Sequence, residues 1–210
     1  MKLYSYIVKH DTGFAPNPFH GYCTLACCKP RIRRKAEKGD WVVGLMPKSA
    51  GNKVAYLMRV DDIVPSFRDY WFAARFKAKK PSYTGGLQKQ CGDNIYEPKT
   101  PGTYRQLRSM HSHDDGSEHT GNKAHDLSGK RILVSETFAY FGSNPKPLPS
   151  DLQSLIVGRG HRSRFSDETK AAFLRFAGTV GFGVHAAPRQ WRDGDDSWTK
   201  GTGCTTRKKK

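Results

Sequence analysis

Proline and glycine interrupt this sequence so often that only short helices and strands are expected between them. The chain holds 21 Gly and 12 Pro in 210 residues. Proline lacks a backbone N–H, and glycine favours turns and helix ends. The opening run KLYSYIV alternates and is rich in aromatic and β-branched residues, which predicts a strand, and APNPF then predicts a turn. Residues 41–45 and 54–60 predict a hairpin that turns at Gly51 and Asn52.

Four helices are predicted among these strands, a short one over residues 148–156 and three others. One starts at Pro30 and ends before Gly39, one has apolar residues at helical spacing from Phe67 to Phe76, and one follows an N-cap at Ser166. A large parallel sheet is not expected, because regular alternation of strand and helix is missing. The pattern predicts an α+β fold with a small, strongly bent mixed sheet or a β-barrel and several short flanking helices.

The length of the chain predicts a single domain over residues 1–192. Residues 77–129 have little periodicity, and we interpret them as a long basic insertion, since loops of this length in compact domains are functional or disordered. Residues 193–210 are almost free of apolar side chains and end in TTRKKK, which predicts a disordered basic tail.

Charge is the strongest indication of a partner. The chain has 36 Lys and Arg against 19 Asp and Glu, a net charge of +17. An excess of this size repels itself in the folded state, so a polyanionic partner, DNA or a nucleotide, is favoured. The alternative is that the charge only keeps the chain in solution.

Cysteine usage and apolar runs predict the compartment. The five cysteines are an odd number, and Cys27 and Cys28 are adjacent, which argues against a disulfide framework. The amino end does not resemble a signal peptide, and no apolar run approaches the roughly 20 residues of a bilayer span. We expect a cytoplasmic protein with reduced thiols and no membrane partner.

Basic residues cluster at 29–38, 77–89 and 159–164, interleaved with aromatic residues. Cations suit phosphates and exposed rings can stack on bases, although a solvated basic face is the alternative. Nearby amide, hydroxyl and imidazole side chains offer hydrogen-bond donors and acceptors for the edge of a base. The alternative for residues 92–94 is a plain turn. The predicted binding residues are Asn17, Phe19, Arg31, Arg33, Arg34, Trp41, Tyr83, Asn94, Tyr96, Ser109, Tyr140, Phe141, Arg159, His161 and Arg162.

Catalytic chemistry has a weaker signal. If the protein is an enzyme, His111 or His113 would act as acid or base with Asp93 assisting, and Cys23 or Cys91 could be a nucleophile.

Metal and cofactor motifs are incomplete. Cys23 and Cys27 have a zinc-type spacing, but a second pair is missing, so core packing is favoured and metal binding by Cys23, Cys27 and Cys28 stays open. The sequence has no Walker loop, dinucleotide fingerprint or GxSxG elbow, and we expect no cofactor.

Four motifs occur in a distinctive order: YSYIVKHDTGFAPNPF, CTLACCKPRIRR with GDWVVG, GDNIY, and LVSETFAYFG. With them, residues 1–191 resemble one of the nucleotide-modification-associated domains of phages and bacteria. The resemblance implies a role in DNA base modification, or in handling modified DNA, beside partner modification enzymes, and it supplies no catalytic residue. A weaker similarity, carried by IRRKAEKGDWVVGL and FAYFG, is to PUA-like barrels, including EVE and ASCH domains, which hold a modified base in an aromatic pocket with basic flanks.

Three hypotheses follow. The first is a PUA/EVE-like barrel that binds DNA or a modified nucleotide in a phage-type modification or anti-restriction system. The second is an enzyme that transfers or removes a group on a nucleotide or DNA base. The third is a non-catalytic accessory subunit of a modification complex.

Overall fold

The computed structural model describes residues 1–191, which fold as short helices and strands in an α+β arrangement. The strands are β1 (Leu3–Ile7), β2 (Cys23–Leu25), β3 (Trp41–Leu45), β4 (Val54–Arg59), β5 (Asp62–Val64), β6 (Tyr96–Pro98), β7 (Tyr104–Gln106), β8 (Ile132–Ser135), β9 (Phe138–Tyr140), β10 (His161–Arg162) and β11 (Gly183–Val184). The helices are α1 (Pro30–Lys35), α2 (Phe67–Phe72), α3 (Leu87–Gln90), α4 (Thr120–Leu127) and α5 (Asp167–Thr179), with 3-10 helices at Lys48–Ala50, Ala74–Lys79 and Ser150–Leu155. The predicted tail at 193–210 lies outside the described residues.

Six strands form one mixed sheet in the order β10-β1-β3-β4-β9-β11. β1 runs parallel to β3, and β3 and β4 form the predicted hairpin. The edge strands β10 and β11 have two residues each and do not pair with each other. Within residues 1–191 the sheet is therefore open, and the predicted barrel alternative is not confirmed.

The two faces of this sheet bury different layers, because side chains alternate along each strand. On one face, Leu3 packs with Phe173 of α5 and with the 3-10 helix Ser150–Leu155. On the other face, Tyr6 packs with Leu25 and Leu133 of a second, three-stranded sheet. That second sheet has the order β2-β8-β5.

Residues 77–129 are a folded part of the domain. They contain α3, α4 and the antiparallel pair β6–β7, and their side chains Leu87, Ile95 and Met110 are buried in a core that they share with Phe14 and Ile132 from outside the segment. The end of this segment lies against α1, which α4 contacts. Length and low periodicity alone do not reveal this order, which depends on packing with distant residues. No helix in residues 1–191 is long and apolar enough to span a bilayer.

A buried ammonium group fastens this segment to the APNPF turn. Lys79 Nζ donates to the backbone oxygen of Asn17 at 2.9 Å, to its Oδ1 at 2.6 Å and to the Tyr22 carbonyl at 2.7 Å. Asn17 Nδ2 in turn donates to the Cys91 carbonyl at 2.8 Å. Burial lowers the pKa of Lys79 to about 8. The three acceptors offset the cost of burying this charge.

Replacing Lys79 by methionine should destabilise the fold, because the side chain keeps its length while Asn17 and the Tyr22 carbonyl lose the ammonium group that donates to them. We expect the free energy of unfolding to fall by about 2–4 kcal/mol in urea denaturation. The matched substitution Lys77→Met, at an exposed position of the same 3-10 helix, should change it by less than about 0.5 kcal/mol. Equal losses in the two variants would contradict this role of Lys79.

Candidate active site

A strand–turn–helix elbow presents one thiol at the surface of the second sheet. β2 ends at Leu25, residues 26–29 turn, and α1 begins at Pro30, whose fixed φ suits a first helical turn. Cys28 (φ 60°) and Lys29 (φ 40°) both have left-handed backbone. Residues other than glycine keep a left-handed backbone only where the surrounding structure holds it in place. Such positions are common at functional sites.

Cys28 lies next to an imidazole–carboxylate pair. Its Sγ is 3.5 Å from His111 Nε2, and His111 Nδ1 is 2.6 Å from Asp126 Oδ2. With Nδ1–H donating to the carboxylate, Nε2 faces the thiol as an acceptor. Thiol, imidazole and carboxylate are thus in the order of a nucleophile, its base and the group that orients the base.

The Asp126 carboxylate also holds the elbow in place. Its Oδ1 accepts the backbone N–H of Cys28 at 2.7 Å, and its Oδ2 accepts the Tyr96 hydroxyl at 2.8 Å. Burial alone would raise the pKa of Asp126, but His111, the Cys28 N–H and the nearby Arg33 lower it. The group therefore remains a carboxylate, which keeps His111 in the tautomer that faces Cys28.

Arg33 supports this arrangement from inside the protein. The side chain is fully buried, and its guanidinium donates to the carbonyls of Cys28 (2.8 Å), Arg131 (3.1 Å) and Asp126. All these partners lie within the fold, away from solvent where a phosphate would bind. We therefore assign Arg33 a positioning role for the elbow in place of the predicted phosphate contact.

The thiol opens into a cavity of about 130 Å³ between β1 and the elbow. Phe14 packs edge-on against the His111 ring with centroids 4.8 Å apart, and Lys29 Nζ lies 4.4 Å from the centre of the Tyr6 ring. The lining residues are Tyr6, Ile7, Val8, Lys9, His10, Thr12, Phe14, Ala15, Cys28, Lys29 and His111. The wall of the cavity therefore contains a nucleophile, the aromatic rings of Tyr6 and Phe14, and two lysine side chains.

The other cysteines of the described residues are buried in the core. Burial raises the pKa of Cys23 and of Cys91 to about 12 and that of Cys27 well above its usual value. Protonated, buried thiols are inert. Cys28, which is half-buried, is the cysteine of residues 1–191 that lines the cavity.

Three buried groups at this site also have the composition of a metal site. Donor atoms of Cys27, His111 and Asp126 lie within 4.8 Å of one another. A metal ion there would require the protonated Cys27 to ionise and the bond between His111 and Asp126 to be replaced. This cluster differs from the cysteines for which the sequence leaves metal binding open, because it includes Asp126 and does not include Cys23.

The structure brings His111 to the site but not its predicted partners. Asp93 is fully buried and accepts the hydroxyls of Thr24 and Tyr70, each at 2.7 Å. Burial raises its pKa, against the opposing effect of Lys79. The acid next to His111 is Asp126, so Asp93 stabilises the fold in place of the predicted catalytic assistance.

Other predicted polar residues also have structural partners. Asn94 Nδ2 donates to the Tyr70 carbonyl at 2.9 Å, and Ser109 Oγ accepts the backbone N–H of His111 at 3.3 Å. His113 is exposed, and its ring stacks on that of His119 at 4.6 Å. Tyr96 and Asn17 are also predicted to contact a ligand. In the structure the Tyr96 hydroxyl donates to Asp126, and Asn17 accepts a hydrogen bond from Lys79.

The predicted stacking residues lie away from the cavity. Trp41 and Phe141 are in the core with Phe173, and Tyr140 donates to the buried Asp11 carboxylate. Phe19 stacks on Trp191 at 5.6 Å, and Tyr83 packs under Arg108. Tyr6 and Phe14 are the rings that line the cavity with the thiol. The sequence does not single them out, because strand and turn positions do not show which face meets a distant loop.

Two predicted basic clusters reach the neighbourhood of the site. Arg31 and Arg34 are exposed on α1, and Arg34 donates to the Ser128 carbonyl at 2.6 Å. Arg159, His161 and Arg162 line a second, larger cavity of about 500 Å³. In the predicted cluster at 29–38, Arg31 and Arg34 are thus exposed while Arg33 is buried.

Iodoacetamide at neutral pH should modify Cys28 at least about 10-fold faster than Cys23, Cys27 or Cys91, because the latter are buried as thiols. Fragmentation of the labelled peptides measures each rate. Cys204, outside the described residues, is replaced by serine in this background. Faster labelling of Cys27 than of Cys28 would contradict the geometry.

His111→Ala should slow labelling of Cys28 by about 10-fold or more, since the base that takes the thiol proton is removed. His113→Ala is the matched control and should leave the rate unchanged. Thermal unfolding of both variants checks that the fold is kept. The assignment fails if the two histidine variants behave alike.

Comparison with known proteins identifies a family for this chain. A family model described as nucleotide modification associated domain 2 covers residues 1–195. No curated protein and no solved structure matches the chain, so the similarity to PUA-like barrels has no support there. Because the match spans nearly the whole sequence, the chain belongs to the nucleotide modification associated domain 2 family.

Proposed function

We propose that the protein is an enzyme of nucleotide or DNA modification that uses Cys28 as a nucleophile to transfer or remove an acyl-type group on a base. Membership of the family indicates a role in nucleotide or DNA modification. The single observation that carries the catalytic part is the Cys28–His111–Asp126 chain, with contacts of 3.5 and 2.6 Å, at the wall of a cavity.

The roles follow from proton positions. His111 Nε2 takes the thiol proton as the sulfur attacks an acyl carbon, and it returns the proton to the group that leaves, which yields a thioester. An amine of the base, or water, then attacks the thioester and passes its proton to His111. The sulfur leaves and recovers that proton, so bonds formed and broken balance without an oxidant or reductant.

Lys29 suits the charge that develops on the acyl oxygen. Its backbone N–H follows the nucleophile in sequence, the position from which an elbow supplies one oxyanion donor. Its ammonium lines the same cavity above the Tyr6 ring. Tyr6 and Phe14 would flank the base, since rings bind a base without regard to its hydrogen-bonding edge.

A reader of modified DNA or nucleotides, as in a phage-type modification or anti-restriction system, is the second candidate. The exposed cations Arg31, Arg34, Arg159 and Arg162 favour it, because phosphate contacts supply most of the affinity of such proteins. A reader would bind its ligand and keep most of that affinity in His111→Ala.

Mass spectrometry of bases after incubation tests the enzyme. The substrates are nucleosides and oligonucleotides with acylated exocyclic amines, for removal, and unmodified ones with acetyl-coenzyme A, for transfer. Cys28→Ser should lower turnover by about 1,000-fold or more, and the matched Cys204→Ser should not. Turnover that survives Cys28→Ser would overturn the thiol mechanism. Activity that a chelator removes and zinc restores would instead assign the Cys27 cluster a metal.

Asp126→Asn should lower kcat by about 100- to 10,000-fold while substrate binding changes little, because an amide no longer fixes the His111 tautomer. Asp126 also accepts the Cys28 N–H, so the unfolding midpoint is measured in parallel. An unchanged kcat in a folded Asp126→Asn protein would contradict the orienting role.

A further inference from the structure

We infer that the substrate is a polynucleotide, whose phosphodiester backbone lies on a basic ridge beside the Cys28 cavity. The ridge consists of Lys29, Arg31, Lys35, Arg159, His161 and Arg162. The inference rests on the proposed function only for the base that would enter the cavity, since backbone binding is independent of the thiol.

Strand β1 brings the two halves of the ridge together. β10 pairs with β1 so that His161 lies opposite Tyr6, and residues in such a pair share one face of the sheet. Lys29 Nζ lies over the ring of the same Tyr6, 4.4 Å from its centre. Segments some 130 positions apart in sequence thus meet at one tyrosine.

The electrostatic environment of His161 supports this placement. The pKa of His161 is lowered first by burial and then by Lys29, Arg31 and Lys35 of the elbow and α1. Three cations therefore act on a side chain of the neighbouring strand. An anion at this place would relieve their mutual repulsion.

No carboxylate neutralises the ridge within residues 1–191. None of its cations forms an ion pair there, whereas the nearby Glu37 is paired with Arg131, and Asp40 accepts the backbone N–H groups of Lys2 and Glu37. Arg31, Lys35, Arg159 and Arg162 are all exposed. Unpaired, exposed cations in a group are the usual footprint of phosphate binding.

The loop before β10 adds a concave surface. Residues 156–159 and 161–164 line the cavity of about 500 Å³, and Arg162 is held there by its bond to the Ser154 carbonyl at 2.9 Å. A Cβ atom at Gly158 or Gly160 would meet no neighbour within 4 Å, so the backbone of both is open to a ligand. Backbone N–H groups at bare glycines can approach a phosphate closely.

The ridge crosses the sheet edge, which favours a polymer over a mononucleotide. His161 shares the Tyr6 face, while Arg162 lies opposite Ser5 and therefore on the other face. A single phosphate cannot contact both faces and Lys29 as well, but successive phosphates of one strand can. A base in the Cys28 cavity must be unstacked, so a single strand is preferred to a closed duplex.

Fluorescence anisotropy with a single-stranded 12-mer tests the ridge. Wild-type protein should bind the oligonucleotide far more tightly than the corresponding mononucleotide, with an affinity that falls steeply with salt. The double variant Arg159→Glu/Arg162→Glu should weaken binding by about 10-fold or more and reduce the salt slope by about 2. The control Arg68→Glu/Lys77→Glu makes the same charge change at exposed positions of α2 and the 3-10 helix after it, and should cost less than about 3-fold.

Further measurements distinguish nucleic acid from other polyanions and test this inference separately from the proposed function. DNA and RNA 12-mers show whether the sugar matters, and tight binding of either supports the inference. Equal affinity for polyglutamate or phosphatidylglycerol vesicles, or equal losses in the two charge variants, would overturn it. Cys28→Ser should bind as the wild type does, so a failure of the thiol mechanism and a failure of the ridge are observed separately.

Discussion

The buried carboxylate of Asp126 is the interaction on which the site depends. It fixes the Cys28 backbone through one oxygen and His111 and Tyr96 through the other. Removing a buried carboxylate leaves several donors without a partner, which costs more than any one of the bonds. Cys28 and His111 come from segments 83 positions apart, and Asp126 is the group that joins them.

The elements of the fold are arranged around the contacts of Asp126. The second sheet supplies the elbow, residues 77–129 supply His111 and Asp126, and β1 supplies Tyr6 on the face that meets both. Lys79 holds the first turn of the chain against the same segment. Lys29 lines the cavity with Cys28, and His161 of the neighbouring strand β10 lies opposite Tyr6, so a basic edge of the first sheet borders the thiol.

Local features of the fold could be predicted from sequence, and the partners in the site could not. The opening strand, the hairpin at Gly51 and Asn52 and the N-cap at Ser166 depend on neighbours in sequence, and all three are present. His111 was among the predicted acid–base residues, but Asp93 and Asp126 are equivalent until the fold buries one beside a histidine. Arg33 shows the same limit, because α1 is basic all round and only packing decides which arginine turns inward.

A single-stranded oligonucleotide with a chloroacetyl group on one exocyclic amine tests the central claim most directly, since the ridge must deliver a base to the thiol. We predict one covalent adduct per chain, located at Cys28 by peptide mapping, formed faster than with the chloroacetylated nucleoside and suppressed by an unmodified competitor strand. An adduct that forms at Cys204 or at surface lysines, with Cys28 unmodified, would contradict the account.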